Sequence, residues 1–121
     1  MKKILHIDDD ADILSSVKTI LDKRGGFEVT NLYSGAAALK DIESNDYSLI
    51  LLDVMLPDMS GWEISKRILK MKPDSKIIFM SVLELTAEKE KEIAAAGVKD
   101  YIRKPFDQDD LVERIMKALK S

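Results

Sequence analysis

Four places in this chain carry side chains that could do chemistry together. Asp8, Asp9 and Asp10 stand side by side. Asp53 ends the run LILLD, Ser81 ends IIFMS, and Lys104 stands in YIRKP. Adjacent carboxylates repel, and at the edge of a core each also costs solvation free energy. Brought into one crevice, these carboxylates would not all stay ionised without a cation. All-oxygen ligation points to Mg2+, with Mn2+ or Ca2+ as alternatives. Mg2+ also binds phosphate oxygens. A lysine ammonium and a serine hydroxyl opposite the carboxylates suit a phosphoryl group, the first by charge and the second by hydrogen bonding. One carboxylate is then a candidate nucleophile that forms an aspartyl phosphate.

Whether these groups meet depends on the elements that carry them. Short apolar runs occur at Ile4–Ile7, Phe27–Leu32, Leu49–Leu52, Lys76–Met80 and Tyr101–Ile102. Continuous runs of this length suit strands covered on both faces. Helical patterns lie between them. Ile13, Val17, Ile20 and Leu21 share a face, and Arg24-Gly25-Gly26 stops that helix. Ser34 can cap a second helix carrying Leu39 and Ile42. Ser60 can cap a third, with Ile64, Ile68 and Met71 on one side and Lys72-Pro73-Asp74 as its stop. Thr86 opens a fourth, ended by Gly97, and Asp107 a fifth with Leu111, Ile115 and Leu119 inward. Five strands alternating with five helices make an α/β protein, a parallel sheet with helices on both faces. In such open sheets the site lies beyond the carboxyl ends of the strands. Asp8–Asp10, Asp53, Ser81 and Lys104 all stand at those ends.

The bulk numbers narrow the classes. The chain has 121 residues, 45% apolar and 34% charged, with net charge −3 and a pI near 5.2. That is one domain's worth, and the expectation is a single domain over 1–121 with no output domain. The acidic balance gives no sign of direct nucleic-acid binding. Cysteine is absent, which excludes disulfide and zinc-thiolate chemistry. No apolar run is long enough to span a bilayer, and MKKILHI meets Asp8 too soon to be a secretory signal. A cytoplasmic monomer or small oligomer is expected.

The ordered set ILHIDDD, LILLDVMLPDMSG, IIFMS and AAGVKDYIRKPF resembles the receiver domain of two-component response regulators, including chemotaxis regulators. The resemblance covers essentially the whole chain. It implies a flavodoxin-like, doubly wound sheet of order 2-1-3-4-5. It implies Asp53 as phosphoacceptor, with Asp8 and Asp9 as the acidic pair that, together with Asp53 and the Met55 backbone carbonyl, would hold Mg2+. It further implies Ser81 as the switch hydroxyl, Lys104 as the phosphate-binding lysine and Tyr101 as the aromatic whose rotamer follows the state. A cis Lys104–Pro105 bond would aim Lys104 inward. The phosphoryl donor would be a histidine kinase or a histidine phosphotransfer protein. The reader of the switched surface (fourth helix, fifth strand, fifth helix) would be an effector or a second copy.

Several neighbours have plainer readings. Asp10 is expected to cap a helix, Asp12 to be a solvated first-turn residue, and Asp58 to serve the PDMSG turn. The run Glu88–Glu92 reads as a solvated helix face. His6, the one histidine, should be a buried, hydrogen-bonded imidazole, so the chain has no exposed phosphohistidine donor of its own. Val82 departs from the family's usual Ala or Gly after the switch hydroxyl and would narrow the entrance. Met55 and Leu83 are apolar where a hydrolytic water must pass, which implies a long-lived phosphorylated form. The rival classes are a receiver-like binding module without phosphorylation, a haloacid-dehalogenase-type aspartyl-phosphate phosphatase and a flavodoxin-like cofactor protein. The Asp8-x-Asp10 spacing serves the phosphatase, but the Lys and Ser arrangement and the small size fit it poorly. Three aspartates after the first strand would repel a flavin phosphate.

Overall fold

The computed structural model describes all 121 residues. Five parallel strands, β1 (Lys2–Ile7), β2 (Phe27–Leu32), β3 (Leu49–Asp53), β4 (Ile77–Ser81) and β5 (Asp100–Arg103), form one sheet in the order β2-β1-β3-β4-β5. They alternate with α1 (Ala11–Arg24), α2 (Gly35–Ile42), α3 (Gly61–Met71), α4 (Ala87–Ala95) and α5 (Gln108–Lys120). The order steps from β1 outward to β2, then back across β1 to β3. The loops after β1 and β3 therefore diverge to opposite faces and leave a crevice between them.

Strand alternation divides the core in two. Leu49, Leu51, Ile78 and Met80 pack with Val17 and Leu21 of α1 and with Leu111, Ile115 and Ala118 of α5. Ile50, Leu52, Ile77 and Phe79 face the other way, against Ala38 and Ile42 of α2, Ile64 and Ile68 of α3, and Ile93 of α4. Every residue of β3 and β4 is buried, as expected of strands covered on both faces.

All five helices start at side-chain caps. The oxygen of Asp10, Ser34, Ser60, Thr86 or Asp107 accepts from amides of its own first turn. Two glycines with positive φ, Gly25 and Gly26, end α1 and reverse the chain into β2. The Lys104–Pro105 bond is cis. No helix is long and apolar enough to cross a membrane.

Three helix faces differ from the sequence expectation. On α1 the buried stripe is Leu14, Val17 and Leu21, while Ile13 and Ile20 sit at its margin and are half-buried. A spacing of three and then four residues makes Leu14 the natural first member. Met71 is not inward. It is the last residue of α3 and is 42% exposed, and Leu119 of α5 is only half-buried.

Candidate functional site

The three adjacent aspartates diverge into separate tasks. Asp8 leaves β1 with its amide donating to Leu32 O at 3.1 Å, and its carboxylate is fully buried. Asp9 is exposed. Asp10 caps α1, accepting from Asp12 N at 2.9 Å and Ile13 N at 3.4 Å. Its own amide donates to Asp8 Oδ1 at 2.9 Å, which fixes the Asp8 carboxylate. The repulsion in the triplet is thereby relieved, because only two of the three face the crevice.

Asp53, the last residue of β3, is buried beside them. One carboxylate oxygen from each of Asp8, Asp9 and Asp53 lies within 4.8 Å of the others. Lys104 Nζ is 2.6 Å from Asp8 Oδ2 and 3.4 Å from Asp53 Oδ2. The lysine backbone is anchored by Lys104 N donating to Ser81 O at 2.7 Å, which also sets it beside the end of β4. Ser81 is buried, and its Oγ accepts from Leu83 N at 3.1 Å. Tyr101 is buried in β5 and its hydroxyl donates to the Leu83 carbonyl, so β5 is tied to the loop after β4.

The two buried carboxylates titrate in opposite directions. Burial pushes Asp8 up, but hydrogen bonds from Lys104 and the Asp10 amide, with the lysine charge, outweigh it and hold Asp8 below the ordinary range. Burial raises Asp53, and the Met55 amide and the Lys104 charge offset that only in part, while Asp8 adds to the rise. One lysine thus leaves uncompensated negative charge among three carboxylates. A small divalent cation fits that deficit, and the donors are hard oxygens suited to Mg2+ or Mn2+.

Of the residues singled out in the sequence, Asp8, Asp9, Asp53, Lys104 and Ser81 come together. The Met55 side chain stands at the rim, 57% exposed, and its amide donates to Asp53 Oδ1 at 3.0 Å. Val82 and Leu83 are also exposed, at 59% and 43%. Val82 therefore points out at the rim rather than into the core.

Two readings need correction. His6 is buried, but neither ring nitrogen has a hydrogen-bond partner, and Asn31 Oδ1, on the residue that pairs with it in β2, is also unpartnered. Burial drives the His6 pKa down to about 4, more than the nearby Asp8 charge raises it, and Lys104 lowers it further. Asp58 does more than form a turn. Its carboxylate accepts from Gly35 N and Ala36 N, both at 3.0 Å, across 22 to 23 residues of chain. No local sequence signal announces that contact. Only the placement of both loops at one sheet edge could have raised it.

A family model described as "Response regulator receiver domain" matches residues 4–116. The chain belongs to that family. Among curated relatives, the response regulator receiver protein CpdR of Brucella abortus is 34% identical, and the match covers 98% of each chain. Other curated relatives are longer, and the chain spans between 28% and about half of their length. A CheY-like receiver domain protein from Methanospirillum hungatei superposes with a TM-score of 0.90 at 36% identity, covering 99% of this chain and 94% of that one. The response regulator TrrA from Thermotoga maritima, solved in complex with Mg2+ and BeF, superposes with a TM-score of 0.84 at 32% identity, covering 98% and 99%. The chain is thus a receiver domain of the two-component response regulator kind, a signalling module.

Proposed function

We propose that this chain accepts a phosphoryl group on Asp53 and thereby switches the surface made by α4, β5 and α5. The observation that carries the reading is the position of Asp53, buried between Asp8, Asp9 and Lys104 at the carboxyl edge of the sheet. The donor is a phosphohistidine on a histidine kinase or a phosphotransfer protein. An Asp53 carboxylate oxygen attacks phosphorus, the P–N bond breaks, and the partner's imidazole leaves with the electron pair. Asp53 becomes an acyl phosphate. Lys104, freed from part of its contact with Asp8, turns its charge to the incoming phosphoryl oxygens, and the Ser81 hydroxyl donates to one of them. Asp8, Asp9, Asp53 and the Met55 carbonyl would hold Mg2+, which when bound supplies positive charge beside the transferring group.

The new dianion draws Ser81 inward, and the Ser81 hydroxyl then gives up its bond from Leu83 N. The Tyr101 hydroxyl is bonded to the Leu83 carbonyl, so the loop and the aromatic move together. An effector protein or a second copy reads the changed surface. The reading places a single receiver domain over 1–121, acting in the cytoplasm. Met55 and Leu83 at the rim cannot hydrogen-bond an attacking water, so the acyl phosphate is long-lived.

Intact mass after incubation with acetyl phosphate and MgCl2 tests the reading. The wild type gains one phosphoryl group, and neither Asp53→Asn nor the wild type in EDTA does. Equal incorporation by Asp53→Asn would overturn it.

A further inference from the structure

The segment between β3 and α3 carries Met55 and borders the acidic crevice. Its base is closed by Gly61 N donating to Val54 O at 2.8 Å and by the Met55–Ser60 bridge. Its tip, Pro57-Asp58, reaches across to the N-terminus of α2. There the four first amides are shared between two residues. Gly35 N and Ala36 N donate to Asp58 Oδ1 and Oδ2, Ala37 N donates to Ser34 Oγ at 3.2 Å, and Ala38 N donates to Ser34 O at 3.1 Å. Gly35 lets the two elements approach this closely. A Cβ there would lie 2.7 Å from Ile64 Cδ1 and 3.3 Å from Met59 Cβ.

Asp58 is therefore a carboxylate with both oxygens committed, on a segment otherwise held at its base by the Gly61–Val54 and Met55–Ser60 contacts and inward by the buried Leu56. The helix dipole favours the anion, and the two amides, Ala36 first and Gly35 second, hold its carboxyl below the usual carboxylate range. The contact does not serve α2 alone, because Ser34 already caps that helix in the ordinary way. What Asp58 adds is a tie between α2 and the loop that carries Met55.

We propose that Asp58 is a positioning residue whose clamp on Gly35 and Ala36 holds the 54–60 loop, and with it the Met55 backbone, in the geometry that receives the divalent cation. The inference rests on the phosphoacceptor reading above, in which the Met55 carbonyl is a ligand. A side chain three residues beyond Met55 on the same loop thereby sets metal affinity. Asp58 itself touches neither the metal nor the phosphoryl group.

Ser34→Ala is the control, since it removes a cap from the same helix and leaves the tie to the loop intact. Amide hydrogen exchange without metal and calorimetric titration with MgCl2 are measured on wild type, Asp58→Ala, Asp58→Asn and Ser34→Ala. In Asp58→Ala, exchange at Met55 and Gly61 is faster than in wild type and the dissociation constant for Mg2+ rises roughly tenfold, the low end for outer-shell changes at metal sites. Asp58→Asn, which keeps one good acceptor and the fold, is intermediate. Ser34→Ala matches the wild type in both readouts although its thermal midpoint falls. Unchanged exchange at Met55 and Gly61 in the Asp58 variants overturns the clamp. Faster exchange with unchanged Mg2+ affinity, or equal weakening in Ser34→Ala, overturns the positioning role. A wild type that gives no Mg2+ heat contradicts the metal site of the phosphoacceptor reading and the positioning role with it, while the exchange data still decide whether the clamp exists.

Discussion

β1 and β3 bring the carboxylates to the crevice at the ends of strands with helices on both faces, whereas the neighbouring loop after β4, together with α4, is thinly covered. α3, which follows β3, buries Gly61, Ile64, Ser65 and Ile68 among its eleven residues, while α4 buries only Ile93 among nine. Residues 82–86, between β4 and α4, are exposed or half-buried throughout. Few buried contacts mean a low free-energy cost of local rearrangement. Under the proposed switch, the difference separates two duties within one small sheet. The acidic side must hold charged groups at fixed separations before any ligand arrives, and the other side must be cheap to move once one has.

The largest expected effect strikes the fixed side. A Cβ at Gly61 would lie 2.6 Å from Val54 Cα and 2.9 Å from Asp53 O, both backbone atoms that cannot swing aside. Gly61→Ala should cost about 2–3 kcal/mol in urea unfolding, in the upper range for overpacking, and should slow phosphoryl acceptance by displacing Asp53. A variant as stable and as reactive as wild type would show that this side is not rigid.

His6 comes next, on the same side. Its folded pKa is about 4 against 6.5 when exposed, so the unfolded chain takes up the proton first as pH falls. Stability is full above about pH 6.5 and declines towards pH 4. Between pH 7.5 and 5 the loss from this group should be roughly 2 kcal/mol, from 1.36 kcal/mol per pKa unit. His6→Val, measured without added metal, should lose that much less over the same interval. Parallel pH profiles for the two proteins would rule out a neutral buried imidazole as the cause.

The rim between the two sides is tested by Met55→Asn with Leu83→Glu, which supplies polar groups to orient water. The phosphorylated form should decay about tenfold faster, equivalent to roughly 1.4 kcal/mol of barrier. Slower decay in the double variant would mean that the apolar rim is not what protects the acyl phosphate. The smallest effect belongs to Tyr101→Phe, which removes the bond to the Leu83 carbonyl that joins β5 to the mobile-side loop. It should cost about 1 kcal/mol of stability and leave initial phosphorylation of Asp53 unchanged.

Much of this arrangement was legible in the chain. Strand runs such as LILLD and IIFMS are apolar because both faces are covered, and the parallel topology then sends Asp8, Asp53, Ser81 and Lys104 to a common edge. The caps at Ser34, Ser60, Thr86 and Asp107 were equally readable, because a cap is a contact within one turn. Contacts set by other elements were not readable. His6 showed its burial through its place in a strand, but its want of a partner depends on what β2 and the helices offer. Asp58 looked like a turn residue because its two donors lie on α2, more than twenty residues earlier. Met71 fits the apolar stripe of α3 yet falls at the end of the helix, where burial is incomplete and it stays 42% exposed.

The comparison of the two sides is tested most directly by amide hydrogen exchange of the fully phosphorylated protein against the unphosphorylated one. Changes should concentrate in residues 82–86, α4 and β5, while β1 and β3 keep their protection. Complete phosphorylation with no change in that region, or with equal change in β1 and β3, would contradict a switch built from one fixed and one yielding side.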